Sequence, residues 1–214
     1  ENYKQSLEII KTIRMVNCLT IDLEGFIESN LESIKTIKEY DKKRENYEIE
    51  RNADFILSFL SQHKIKATFF CIGRIAFDLP HIIRNIAEEG HEIGCHSFKH
   101  LRIFKLDKKY FKEKLVYAKK KLEDVSGTPV IGFRAPDFSI IKDSLWAIDI
   151  LNEIGFIYDS SIYPIGIHDV YGIESASRFI YRFPNGLIEF PLSTFKILGK
   201  NIPFAGGGYL RLYP

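Results

Sequence analysis

Residues 64–97 read KIKATFFCIGRIAFDLPHIIRNIAEEGHEIGCHS, and this stretch decides the fold class. The run 67–72 is β-branched and aromatic, as a buried strand is, and Gly73 ends it. Pro80 opens a helix over 80–89 and Gly90 stops it, the usual placing of Pro at a helix start and Gly past its end. A further strand follows over 91–95. Strand, helix and strand in so short a span predict two parallel strands joined by a crossover helix.

The same alternation continues on both sides. Upstream, 16–22 predicts the first strand, and the polar stretch from about 28 to 50 predicts a helical excursion over one face. Residues 53–62 predict a core-facing helix, with Ala53, Ile56, Leu57 and Leu60 at i, i+3, i+4 and i+7. Downstream, Asp107 caps a helix to residue 124 whose inner face is Phe111, Leu115, Ala118 and Leu122, its lysines forming a solvated face. Gly127 ends it, and 130–133 is a strand running into Arg134-Ala135-Pro136. Asp143 or Ser144 caps a helix over 145–154 that Gly155 stops, and 156–158 and 187–190 are short strands. The intervening 163–185 reads as a loop rich in aromatic and turn residues, of a length often given to function. Residues 1–14 read as a helical extension, with Leu7, Ile10 and Ile13 at helical spacing, and the single methionine, Met15, stands just before the first strand. Residues 15–214 form one domain.

Composition narrows the function. With 214 residues, 45% of them hydrophobic, the chain supports one sizeable core. A net charge of +2 argues against a dedicated nucleic-acid surface, which needs a clear basic excess. No apolar run approaches the ~20 residues of a membrane span. Cys18, Cys71 and Cys95 are odd in number, widely spaced and set in apolar stretches, which predicts buried free thiols and a reducing, cytoplasmic location. No secretory signal is visible in the first residues.

Strands followed by helices gather their chemistry at the carboxyl ends of the strands, in a barrel or an open sheet alike. Three such ends carry reactive residues. The first strand ends in Thr20-Ile21-Asp22-Leu23-Glu24, whose two acids, one residue apart, point the same way along an extended chain. The plain alternative is a pair of surface acids in a loop. The third ends in Gly94-Cys95-His96-Ser97-Phe98-Lys99-His100, where two of the six histidines stand at i and i+4. On a helical turn they share a face and can grip one ion, although this spacing by itself is a weak signal. With a carboxylate from another strand end they make a two-His, one-carboxylate set with open positions. The fourth ends in Arg134, partly buried and in need of a carboxylate; Asp22 is the natural candidate, a surface salt bridge to another acid the alternative.

Together, TIDLEG, KATFFCIG, GHEIGCHSFKH, GFRAPDFS, YDSSIYP and IEFPLS, in this order, resemble the NodB-type polysaccharide deacetylases, carbohydrate esterase family 4. The resemblance runs from about residue 16 to 214, and the tail resembles the subgroup associated with exopolysaccharide biosynthesis. It implies a distorted (β/α) barrel of about seven strands. It also implies Asp22 as catalytic base, Arg134 as the residue holding it, and Glu24, His96 and His100 as ligands of a divalent metal, most readily Zn. The family more often has two adjacent aspartates where this chain has Asp22 and Glu24. It also supplies a general-acid histidine in a late motif, yet no histidine follows Asn185. Either that motif lies beyond Pro214 in a longer parent, or His168 takes the role.

The implied reaction removes N-acetyl groups from an amino-sugar polymer, an exopolysaccharide or a cell-wall glycan. An acetamide is a poor electrophile; a divalent ion polarises the carbonyl and lowers the pKa of its water to about 7, and Asp22 takes the proton. The N–H of Asp137 faces the developing oxyanion. Trp146, Phe138, Tyr163 and Tyr171 are candidates to stack on sugar rings, with core packing the plainer reading for each. The alternatives are an amide hydrolase acting on a small molecule and a non-catalytic carbohydrate-binding domain.

Overall fold

The computed structural model describes residues 18–30, 41–166, 168 and 170–210. The expected N-terminal helix with Leu7, Ile10 and Ile13, Met15 and the first two residues of the predicted 16–22 strand lie outside the described residues.

Seven strands form one sheet in the order β1 (Thr20–Leu23), β2 (Thr68–Cys71), β3 (Glu92–Cys95), β4 (Gly132–Phe133), β5 (Tyr158–Asp159), β7 (Ile188–Glu189), β6 (Tyr181–Arg182). All neighbours are parallel except β6, which is antiparallel to β7. Two further strands, β8 (Thr194–Ile197) and β9 (Lys200–Pro203), pair as a separate hairpin. Between the strands lie α1 (Phe26–Asn30), α2 (Lys42–Gln62), α3 (Ile75–Asp78), α4 (Pro80–Glu88), α5 (Lys108–Ser126) and α6 (Trp146–Ile154). The mixed α/β class and the strand count are those implied by the family resemblance.

The sheet curls. Neighbouring strands lie ~4.8 Å apart, so β1 and β4 would be roughly 14 Å apart on a flat sheet. The Arg134 side chain, just past β4, nevertheless bonds Thr20 and Asp22 on β1. Alternation then separates the two faces. Ile21, Leu23, Phe69, Cys71, Ile93, Cys95 and Phe133 pack outward against Leu57, Ile83, Leu115 and Leu151 of the helices. Thr20, Asp22, Thr68, Phe70 and Glu92 face the interior, where Thr68 and Tyr158 hydroxyls donate to Glu92. The outer layer supplies the stability, since each fully buried Phe, Leu or Ile side chain contributes ~1.5–3 kcal/mol.

Caps fall where the side chains predict them in α5. Asp107 accepts from the Lys109 and Tyr110 amides, and Gly127 ends α5 at φ 68°. The four expected inner residues of α5 are buried. Its lysines are less free than a solvated face implies: Lys114 lies over Phe98 and Tyr110, Lys121 over Phe77. At α6 neither acid nor hydroxyl caps the start. Ser144 sits in a 3₁₀ turn, its hydroxyl accepting from the Ile141 amide, and Leu145 occupies the N-cap without a side-chain bond. Of the cysteines, Cys71 and Cys95 are buried, and burial pushes both thiols up, Cys95 to about 12. Cys18 is exposed, against expectation, because it precedes β1 instead of lying in it. No helix among the described residues is long and apolar enough to cross a membrane.

Candidate active site

Three side chains meet where β1 and β3 end. Glu24 Oε2 lies 3.2 Å from His96 Nε2 and 3.0 Å from His100 Nε2. The three ligand atoms fall within 4.8 Å of one another. Despite those short distances, Glu24 Oε2 has no hydrogen bond of sound geometry and is buried. One carboxylate oxygen and two imidazole nitrogens converging at these distances are arranged for a cation, and two imidazoles plus a carboxylate suit a divalent ion with positions left open. The residues present therefore fit a metal.

The histidines reach this arrangement by a different route from the helical turn that their spacing suggested. The segment 96–100 is irregular, and Ser97 is left-handed at φ 67°. That reversal brings the two rings to 5.6 Å between centroids at an angle of 61°. His96 is fixed further by its other nitrogen, Nδ1, which lies 2.7 Å from the carbonyl oxygen of Arg134. A proton on Nδ1 donates to that carbonyl and leaves the Nε2 lone pair facing Glu24. The His100 amide donates to Glu28 Oε1 at 3.4 Å. Glu28 is held in turn by Arg74, which also pairs with Glu45 and Asp78. Nothing in the sequence marked this half-buried cluster, because Glu28 and Glu45 sit in a stretch that reads as polar helix.

Electrostatics bind the trio together. Burial works to raise the Glu24 carboxyl, but the two imidazoles outweigh it and hold it at about 2. Burial likewise works to lower His100, and the Glu24 carboxylate reverses it, leaving the imidazole above its ordinary value.

Beside the trio, Asp22 Oδ1 accepts from Arg134 Nη1 at 2.8 Å, which settles the partner of the arginine. Arg134 is buried, donating Nε to the Ser160 carbonyl at 3.1 Å and Nη2 to Ser160 Oγ at 2.9 Å. Its guanidinium lies 4.2 Å over the Phe70 ring. Just after it, Asp137 and Phe138 are both left-handed, at φ 52° and 50°. Consecutive non-glycine residues there are strained, the kind of strain that collects at functional sites. An ion pair from Arg102 to Asp137, 2.7 Å, and a bond from Ser139 Oγ to the Pro136 carbonyl hold the turn.

His168 stacks on Tyr171 at 3.8 Å between centroids and 12°, and its Nδ1 accepts from the Val170 amide. Tyr171 stacks on Tyr163 and meets Phe138 edge-on. Of the four aromatic candidates, Tyr163 is fully buried and Trp146 packs against the main core beside Phe111. Only Phe138 and Tyr171 remain partly accessible near the Asp137 turn.

Comparison with known proteins places this fold. The chain belongs to the polysaccharide deacetylase family, whose model matches residues 36–156. Residues 160–214 match a second family, described as a domain of unknown function (DUF3473). Among curated relatives, a peptidoglycan-N-acetylglucosamine deacetylase of Bacillus cereus is 34% identical over 95 residues, 44% of this chain and 34% of that protein. A chitooligosaccharide deacetylase of Azorhizobium caulinodans is 33% identical over 103 residues, 48% of this chain and 46% of that protein. The chain spans about a third or less of the length of the first curated relatives it matches. In structure, a polysaccharide deacetylase from Mycobacterium smegmatis superposes with TM-score 0.61 at 24% identity, over 89% of this chain and 64% of the other. The PuuE allantoinase gives 0.61 at 18%, over 82% and 61%. These two likenesses show the fold.

Proposed function

We propose that this chain is a metal-dependent deacetylase that removes N-acetyl groups from an amino-sugar polymer, either an exopolysaccharide or a cell-wall glycan. The observation that carries the proposal is the Glu24–His96–His100 trio standing beside an Asp22 carboxylate held by Arg134. Glu24, His96 and His100 would hold the ion, with Zn the best match to a nitrogen-rich set. When bound, it supplies Lewis acidity toward the acetamide carbonyl and its water.

The chain's own groups do the rest. Asp22, oriented by its bond from Arg134, is the group to take a proton from the attacking water. Its exposure, 26% of the side chain, leaves it open to the site while Arg134 stays covered. The Asp137 N–H, at the strained turn after Pro136, is the donor for the oxyanion. His168 is the candidate to protonate the departing amine, reached through the aromatic pile that includes Phe138. A small-molecule amide substrate has the allantoinase fold likeness in its favour.

Acetate release from oligomers of N-acetylglucosamine, set against release of products from ureides, distinguishes the substrates. D22N is expected to keep bound metal and lose on the order of 10²–10⁴-fold in kcat. H96A and H100A are expected to lose metal and turnover together. Full hydrolysis by a metal-stripped H96A/H100A protein overturns the proposal.

A further inference from the structure

Two acids remain that the site does not use. Asp159 and Glu189 are both fully buried. They are register partners on the neighbouring parallel strands β5 and β7, so their carboxyl groups stand side by side on one face of the sheet. One oxygen of each is taken by the chain: Ser161 Oγ donates to Asp159 Oδ1 at 2.5 Å, and the Ile162 amide donates to Glu189 Oε1 at 2.9 Å. The other two, Asp159 Oδ2 and Glu189 Oε2, are buried without a donor. Two ionised carboxylates side by side away from water repel strongly, and a single proton between their unpartnered oxygens relieves that repulsion and gives one of them a donor.

We propose that Asp159 and Glu189 hold one proton between them, and that this pair is the positioning device for Arg134. The connection runs through the two serines that follow Asp159. Ser161 Oγ, bonded to Asp159, accepts the Ala135 amide at 2.8 Å. Ser160 receives the arginine through both its carbonyl and its hydroxyl, and that hydroxyl donates to the Phe190 carbonyl beside Glu189. Removing the proton forces the two strands apart at the residues that anchor both the backbone and the side chain of the Arg134 turn.

The surrounding charges agree. Burial is the largest influence and pushes both acids up, Asp159 to about 6 and Glu189 well above its ordinary range. Arg134 on the β4 side favours ionisation of Glu189. Tyr181 on β6 faces both acids, and its phenol is pushed up by burial first and then by them. The positioning of Arg134 bears on turnover only under the deacetylase reading; the shared proton stands on the geometry of the pair.

Amide substitutions test the proton. In E189Q the amide oxygen can accept from Ile162 while its NH₂ donates to Asp159; D159N can do the same in reverse. The double variant sets two NH₂ groups against each other. Thermal unfolding of the full chain is therefore expected to show folded single variants and a double variant destabilised well beyond their sum. For the pH dependence, both folded pKa values lie above the unfolded 3.8 and 4.5. The wild-type contribution is thus full below those values and is lost as pH rises through the folded ones. The Tm of E189Q relative to wild type should accordingly climb from about pH 4.5 upward. An additive double variant, or a Tm difference that is flat with pH, overturns the shared proton.

Positioning is read on the Arg134 Nε–H, which donates to Ser160, by its hydrogen exchange in NMR, and on kcat. E189A is expected to speed that exchange and lower kcat on the order of tenfold or more with metal content unchanged, and E189Q to restore both. If E189Q exchanges as fast as E189A, the positioning role is overturned. If wild type releases no acetate while Arg134 exchange follows the expected pattern, the deacetylase reading fails and the positioning role stands.

Discussion

Arg134 serves two partners with two parts of itself: its carbonyl oxygen meets His96 Nδ1, and its guanidinium meets Asp22. R134K separates these duties. Lysine keeps the carbonyl and a positive charge but cannot reproduce the planar fork that bonds Thr20, Asp22 and Ser160 together. We expect kcat to fall on the order of 10²-fold while metal stoichiometry, measured by elemental analysis, stays that of wild type. A second expectation concerns the metal-free protein. Glu24 is held at about 2 against an unperturbed 4.5, so its share of stability is present above 4.5 and lost as pH falls through about 2. His100 is raised above 6.5, so its share is full below 6.5 and lost as pH rises through the folded value. Chelator-treated wild type should therefore exceed H100N in Tm most between pH 4.5 and 6.5, with the gap closing on either side.

At the level of elements, close approach between β2 and β3 sets the floor of the site. A Cβ on Gly94 would stand 2.5 Å from Phe70 Cδ1, and Phe70 is the ring beneath the Arg134 guanidinium. G94A must push that ring, costing about 1–3 kcal/mol of stability and tilting Arg134 away from Asp22; calorimetry and acetate release should fall together. The reactive residues of these elements were legible because strand ends expose them in sequence: Asp22, Glu24, His96 and Arg134 each follow an apolar run. Less was legible where the usual marks are missing. The stripe of α2 extends from Leu60 and Leu57 through Ala53 and Ile49 to Glu45, all buried. A charged residue at its start made the first two turns read as a polar excursion. The β8–β9 hairpin turns at Leu198 and Gly199, φ 48° and 82°. Leu is not a residue that advertises such a turn, so the strands on either side went unread. Nor could spacing announce the left-handed Ser97, since backbone reversal leaves no periodic trace.

For the molecule as a whole, the two family matches meet between residues 156 and 160, yet the sheet runs through that junction. β5 pairs with β4 on one side and β7 on the other. The later segment also contributes Ser160 to Arg134, and Tyr163 to the small second core with Ile165 and Leu192, against which Phe138 packs. A chain ending at residue 156 is therefore expected to lose its cooperative thermal transition, with β4 left as a bare edge and the arginine stripped of its Ser160 partners; far-UV circular dichroism during heating checks this.

The double use of Arg134 also makes the residue a ruler. With its side chain held by Thr20, Ser160 and the Phe70 ring, one residue sets the spacing between the imidazole it steadies and the carboxylate it grips. Warming that loosens the outer loops should leave this spacing intact, so turnover should climb smoothly with temperature until the sheet itself gives way.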